Sequence, residues 1–402
     1  MGDVLFLGHR VPYPPDRGDK IRGFHVLKFL SARKRVHLIA FADDRRDMEQ
    51  QDGLSAVTAD RAIRWRSKSR AVAAIEALIT RKPVSLTAFD AASVRIAVEQ
   101  ALANLTIDTI YVYSSQMAQY LPARAQQTII MDFVDMDSAK FAAYGKAGGA
   151  MAWLMKREAR LLLRHERAIA RRADASLFVS AAEAQLFRDQ TGAERVHVVE
   201  NGIDTERYDP AASFARIEPT AALIVFTGQM DYRPNIEAVT WFAEAILPLI
   251  RIAHPQAHFA IVGRAPTEAV KVLAKQLGVT VTGEVPDVRG WIAAAAVVVA
   301  PLKLARGIQN KVLEAMAMAR PVVASTAAAE GIDHAHTIRV GESAAEIAAQ
   351  VVALLDDPAG AERIGREARV QVQRRYSWEA RLAPLDAILG MAATAPPCRS
   401  AA

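Results

Sequence analysis

Residues 293–325 hold the arrangement that most narrows what this chain can become. The apolar run Ala293–Ala300, closed by Pro301, reads as a buried strand, and Leu302–Gly307 reads as a short loop. A helical run starts near Ile308, with Val312, Leu313, Ala315, Met316 and Met318 apolar, and Pro321–Ala324 reads as the next strand. Strand, loop, helix and strand make a βαβ unit of a parallel sheet, whose ligand sits where the loop meets the helix N-terminus. Gly307 lets the backbone come close to that ligand. The N–H groups of Ile308, Gln309 and Asn310 would face an anion at the positive end of the helix dipole. Lys311 stands in the first turn, where a cation opposes the dipole unless an anion is bound. Glu314, three residues on, lies on roughly the same helix face, where its carboxylate could accept hydrogen bonds from a ribose diol. The pattern reads as a nucleotide-sugar site. The other reading is an ordinary i,i+3 surface pair on a crossover helix.

The chain has 402 residues, which suggests two domains, and its 51% hydrophobic and 23% charged residues are those of a globular protein. The single cysteine, Cys398, precludes an internal disulfide and fits a reducing, cytoplasmic compartment. Met1–Arg10 reads as a strand opening into a loop rather than a signal peptide, and the longest apolar run, Ile292–Pro301, is far below membrane-spanning length. Charge is uneven: residues 1–200 carry a net +7 and the remainder a net −1. A basic first half points to an anionic partner there, or to a solvated basic surface.

The first half opens with the strand Val4–Gly8, a loop His9–Lys20 rich in proline, a helix Ile21–Arg33 and a strand Arg35–Ala42. This is a Rossmann-like start without G-x-G-x-x-G, which argues against a dinucleotide turn and an NAD dehydrogenase. The loop brings Gly18, Asp19, Lys20 and Arg22 to a helix N-terminus, where a second substrate could be held. Arg61–Lys82 is basic at both ends and apolar in the middle. It fits a helix lying on an anionic membrane at the inner face of the plasma membrane, or one packed on the sheet. Strands follow at Thr109–Ser114 and Thr128–Phe133; the second leads into Asp132, Asp135 and Asp137 at a carboxyl edge where ligands of α/β sheets bind. Asp135-x-Asp137 also matches a D-x-D metal pattern, but two carboxylates so spaced are common by chance, and no metal is expected. His334-x-His336 has no cysteine partner, which argues against zinc. His9, just past the first strand, reads as an ordinary loop histidine.

The Asn201-Gly202 turn begins a second run of the same rhythm, with strands at Leu223–Phe226, Phe259–Val262 and Thr280–Thr282 before the unit described above. A long helix, Ile236–Ile252, follows the first of these strands. The expected fold is α/β: two Rossmann-like doubly wound domains facing a central cleft, each presenting a carboxyl edge. The expected spans are 1–195, 196–375, a helix crossing back over 376–391, and a disordered tail over 392–402.

With both halves laid out, the sequence resembles the retaining GT-B glycosyltransferases of family 4 along nearly its whole length. The most specific segments are Val199–Asp204 (VENGID) and Gly307–Ser325 (GIQNKVLEAMAMARPVVAS), with Phe226–Asn235 and Gly283–Asp287 in support. PYPPDRGDKIRGFHVLKFL and VDMDSAK are similar to the sugar transferases of PEP-CTERM/exosortase exopolysaccharide clusters. The resemblance implies that Lys311 contacts the donor diphosphate, Glu314 its ribose, and Gly283, Glu284 and Val285 its base, with Gly228 in the donor loop. It places the Gly18 loop, with Asp19 and Arg22, near the transferred sugar, and Asp135 where the family often has a histidine beside the reacting sugar. Trp378 would begin the crossing helix. Two features depart from the family: Arg306 replaces its first glutamate, and the loop Gly228–Asn235 lacks its Arg and Lys. Arg306 and Lys311 together would then bind the diphosphate.

The implied substrates are a nucleotide-diphosphate sugar and a lipid-linked or saccharide acceptor, with no separate cofactor and no nucleic acid. A nucleotide-sugar 2-epimerase and a non-catalytic nucleotide-sugar-binding subunit are the competing readings.

Overall fold

The computed structural model describes residues 2–49, 52–145, 150–218, 222–305 and 307–390. The chain divides into two compact units, Met1–Asn201 with Leu382–Ala402, and Gly202–Arg381. The expected tail over 392–402 and the candidate Arg306 lie outside the described residues.

The first unit is built on seven parallel strands: β1 (Asp3–Gly8), β2 (Val36–Ala42), β3 (Asp60–Trp65), β4 (Ile107–Tyr113), β5 (Thr128–Val134), β6 (Ala175–Phe178) and β7 (Val196–Val198). Their order across the sheet is β3-β2-β1-β4-β5-β6-β7. All of β2 and all of β1 beyond Asp3 are buried. A parallel sheet carries helices on both faces, so its inner strands are nearly continuous apolar runs without alternation, His37 of β2 being an exception paired with Asp3 at 2.8 Å.

The second unit repeats the plan with six parallel strands: β8 (Leu223–Thr227), β9 (His258–Val262), β10 (Val279–Gly283), β11 (Val297–Ala300), β12 (Val322–Ser325) and β13 (Arg339–Gly341). Their order is β10-β9-β8-β11-β12-β13. Its core gathers Phe226, Phe242, Phe259, Val298, Met316 and Val323. Each sheet reverses its direction of growth once, between β1 and β4 and between β8 and β11. At such a switch point the outgoing loops part and leave a crevice at the carboxyl edge.

Several elements differ from the sequence reading. Residues 61–82 are not one helix: Asp60–Trp65 is the edge strand β3, and the helix is Arg70–Thr80. An edge strand tolerates Arg61 and Arg64 because one side of it meets water. The alanines of residues 293–294 end a helix, Arg289–Ala294, and only Val297–Ala300 is strand. The long helix expected at Ile236–Ile252 is interrupted by a π turn at Phe242–Ile246, just before Pro248. Proline has no N–H to continue the ladder, which accounts for the break. The first unit extends to Asn201 rather than 195, because β7 pairs with β6. Past Tyr376 the chain forms two short helices, Trp378–Leu382 and Pro384–Ile388, in place of one spanning 376–391.

Candidate active site

In the second unit, the backbone closes up at the ends of β8 and β9, beside the β8/β11 switch point. A Cβ built on Gly263 would lie 1.6 Å from the Gly228 carbonyl oxygen, so two loops meet there with no room for a side chain. A Cβ on Gly228 would lie 2.8 Å from Asn235 Nδ2 and 3.2 Å from Lys311 Nζ. Lys311 extends from the Asn310–Ala317 helix, donates to Asn235 Oδ1 at 2.5 Å, and rests 4.1 Å from the centre of the Phe226 ring. Asn235 in turn donates to the Gln229 carbonyl at 2.8 Å, which fixes its oxygen toward the lysine. Among the described residues Lys311 makes no ion pair. Burial pushes its ammonium down to about 7, against the smaller opposing pull of Glu314. An ammonium held by a neutral amide at a switch point is the electrostatic complement of an anion.

Glu314, half-buried, accepts a hydrogen bond from the Tyr208 hydroxyl. Burial raises its pKa, while Tyr208 and Lys311 oppose the rise. Lys311 and Glu314 therefore take separate partners, and the ordinary surface pair is not what forms. The helix starts at Asn310 rather than Ile308. Gln309 is its N-cap residue, without a side-chain cap, and Ile308 packs against the core from the preceding loop. Gly307 has φ +69°, a left-handed backbone that favours glycine, with open space where a Cβ would stand. Gly283, also left-handed, ends β10, two strands from β8 and so about 10 Å away. Glu284 is exposed after it, and Val285 packs on the core.

In the first unit the crevice lies at the ends of β1 and β4. His9 Nε2 is 3.5 Å from Asp19 Oδ2, and its ring centre is 5.4 Å from that of Tyr113. Asp19 also pairs with Arg10 at 2.5 Å. Burial opposes ionisation of Asp19, yet His9 and Arg10 outweigh it and hold the carboxyl well below the usual range. Gly18 is exposed at the first position of the Gly18–Ser31 helix. Arg22 is a correction: it turns inward, 1% exposed, donating to both Asp132 oxygens at 3.0 and 3.2 Å and to the Val199 carbonyl at 2.9 Å. Tyr111 completes this buried cluster through Asp132 at 2.7 Å. Arg22 supports the carboxyl edge from beneath and is not free to grip a substrate.

Asp135 is exposed just beyond β5, which ends in Val134 at φ +69°. A β-branched residue in the left-handed region is strained, and such strain gathers at functional edges. Asp137, two residues on, is the more enclosed carboxylate, accepting from Ser115 Oγ at 3.2 Å and Gln116 Nε2 at 3.3 Å, with its pKa raised by burial. Among the described residues no group of three or more His, Cys, Asp or Glu side chains could hold a metal ion. Sequence reasoning passed over Asn235 and Tyr208 as site residues, and weighed Asp137 only among the carboxyl-edge aspartates and within a D-x-D metal pattern. Asn235 carried one usable signal, its place beside Pro234 in the first turn after the Gly228 loop.

Two all-parallel, doubly wound units, each with a crevice at its own switch point, define the α/β GT-B class of fold. Residues 221–357 match the family of glycosyl transferases group 1, and residues 145–207 match glycosyltransferase family 4. The chain is 30% identical over 185 residues to a phosphatidyl-myo-inositol mannosyltransferase of Propionibacterium freudenreichii, covering 43% of this chain and 45% of that protein. It spans about half the length of the curated relatives it matches. Among solved structures, sucrose-phosphate synthase of Thermosynechococcus elongatus superposes with a TM-score of 0.56 at 18% identity, over 96% of this chain and 98% of that one. Anabaena Alr3699/HepE, solved with UDP, superposes with a TM-score of 0.57 at 16% identity, over 96% and 99%. The sequence matches liken these two segments to glycosyltransferases of group 1 and family 4, and the structural ones show the fold.

Proposed function

We propose that the protein is a retaining glycosyltransferase that moves a sugar from a nucleoside-diphosphate sugar to a lipid-linked or growing saccharide acceptor, on the cytoplasmic side, in exopolysaccharide assembly. The observation that carries the reading is Lys311, an ammonium bonded to a neutral amide against the Gly228 backbone at the β8/β11 crevice. In this role Lys311, the amides opening the Asn310–Ala317 helix and Arg306 take the charge that develops on the departing diphosphate. One such preorganised donor is worth about 3 kcal/mol. Glu314, fixed by Tyr208, accepts from the ribose hydroxyls, and the Gly283–Val285 loop flanks the base. Asp135 and the His9–Asp19 pair, at the carboxyl edge of the first unit, are the groups this reading assigns to the transferred sugar. That relatives act on sugars, and that one structure was solved with UDP, supports a uridine or related nucleotide as the donor's base. The similarity of the opening segment and of VDMDSAK supports the exopolysaccharide setting.

The test is a thermal-shift panel of nucleoside-diphosphate sugars. A donor at a hundred times its dissociation constant adds about 2.7 kcal/mol of stability, and Lys311→Ala should abolish the shift. A panel without any shift rejects the donor site. Release of nucleoside diphosphate only when acceptor is present separates transfer from epimerisation.

A further inference from the structure

We propose that one face of the first unit, formed by the Arg70–Thr80 helix and the solvent side of the Ala150–Arg172 helix, docks on an anionic lipid bilayer. The inference goes beyond the transfer reaction and rests on exposure and charge alone.

The Arg70–Thr80 helix is attached by its small residues. Ala73 and Ala77 are fully buried, and Arg157 of the long helix donates to the Ala77 carbonyl at 2.7 Å. The large apolar residues turn the other way: Val72 is 54% exposed, Ile75 61%, Leu78 55% and Ile79 77%. Single exposed aliphatics are common, but a contiguous stripe on one helix marks a contact surface. The neighbouring helix adds Met151 and Trp153, 60% and 66% exposed, at its start.

From Trp153 onward, Lys156, Arg160, Arg164, Arg167 and Arg171 recur at three- and four-residue steps, forming one stripe, and all are exposed. The helix has only two acidic residues, and both are turned inward. Glu158 accepts from the Val84 and Ser85 amides, and Glu166 from the Ser138 amide and hydroxyl. Among the described residues none of these five basic side chains is in an ion pair, so the solvent side is cationic. Arg81, exposed at the end of the first helix, extends the charge, while its neighbour Lys82 is paired with Asp90 at 3.6 Å.

An apolar stripe beside a basic one selects its partner. A second copy meeting the face about a two-fold axis would set like charges against each other. Nucleic acid would satisfy the basic stripe through phosphates and leave the aliphatic stripe in water. An anionic bilayer satisfies both, taking the aliphatics and Trp153 into the headgroup boundary and pairing the cations with lipid phosphates. Among the described residues no helix is long and apolar enough to cross a membrane.

The test is co-sedimentation of the full-length protein, without nucleotide or acceptor, with vesicles of equal parts phosphatidylglycerol and phosphatidylcholine, against phosphatidylcholine alone. Binding to the anionic vesicles only, weakening with added salt, is expected. Ile75→Glu with Ile79→Glu should abolish it, and Arg160→Gln with Arg164→Gln should lower the partition coefficient about fivefold per residue. Circular dichroism and an unchanged unfolding midpoint confirm that these surface variants fold. Absent binding, binding indifferent to both pairs, or variants that instead abolish self-association in sedimentation velocity would overturn the proposal. So would tighter binding to an RNA homopolymer than to the vesicles, untouched by the isoleucine changes. None of these results bears on donor binding, which the thermal shift reads separately.

Discussion

Lys311 carries the sharpest consequence at the scale of single residues. In the free protein its pKa falls to about 7, and a bound diphosphate would restore the charged form. Below that pH the ammonium is already in place; above it, binding must take up a proton. Donor affinity should therefore fall as pH rises above about 7, by up to about tenfold per unit while the free lysine is neutral. Titrating nucleoside diphosphate by calorimetry between about pH 6 and pH 9 reads this directly, and an affinity flat across that window removes Lys311 from the diphosphate. The same depressed pKa means that the unfolded chain binds the proton more tightly. Lys311 thus lowers folding stability in full below about pH 7, and the penalty lifts as pH approaches the ordinary lysine value. Lys311→Met should raise stability by roughly 1 kcal/mol at neutral pH while erasing donor binding. The placing of Lys311 and Glu314 on one helix after a loop was legible because loop, helix and both side chains sit within a few residues of sequence. Arg22 was misread for the opposite reason. At a helix N-terminus it looks like a ligand group, and nothing local shows that Asp132, 110 positions away, takes its guanidinium.

Elements were legible where their pattern was long. The strands β1 and β8 are nearly continuous apolar runs, and β2 is one interrupted only by His37. Short or edge elements were not: β3 hid inside a basic amphipathic stretch, and the three-residue β7 has too few side chains to show any period. The backbone contact beside the switch point belongs to this scale too, because it depends on how closely the ends of β8 and β9 approach. Gly263→Ala would drive a methyl into the Gly228 carbonyl and should cost roughly 3 kcal/mol, the upper range for overpacking. It should weaken nucleotide binding with it, because the Gly228 loop would have to move off Asn235 and Lys311. Gly283→Ala is the control. Its methyl meets open space, and only the left-handed backbone at φ +69° is strained, a cost of about 1–2 kcal/mol. Urea unfolding of the two variants separates the effects, and equal losses would show that the contact at Gly263 is relieved by a shift of the loop.

At the scale of the molecule, the doubled rhythm of strand and helix sufficed for the two-unit plan, since each run buries its own sheet. The exact partition was not legible, because it turns on where a few backbone bonds are made. Ile203 donates to the Tyr376 carbonyl at 2.7 Å, and Gly202 lies against the Trp378 backbone, so the two ends of the second unit meet at one place. A unit with adjacent ends, a complete six-stranded sheet and its own core meets the physical requirements for independent folding. The fragment Gly202–Arg381 should unfold cooperatively and retain Lys311-dependent binding of nucleoside diphosphate. The first unit is different, because it needs chain that returns from the far end. Arg33, 7% exposed, is held by Asp386 at 2.5 and 3.2 Å while its guanidinium lies over the Phe29 ring. Residues 1–201 alone leave that buried guanidinium without its carboxylate. Asp386→Ala in the full chain should reproduce the loss, about 3 kcal/mol for a buried pair broken on one side. It should lower the unfolding midpoint of the first unit and leave nucleotide binding by the second intact. Were Asp386→Ala instead to weaken nucleotide binding without lowering that midpoint, the returning segment would be acting on the donor site and not as the closing piece of the first unit.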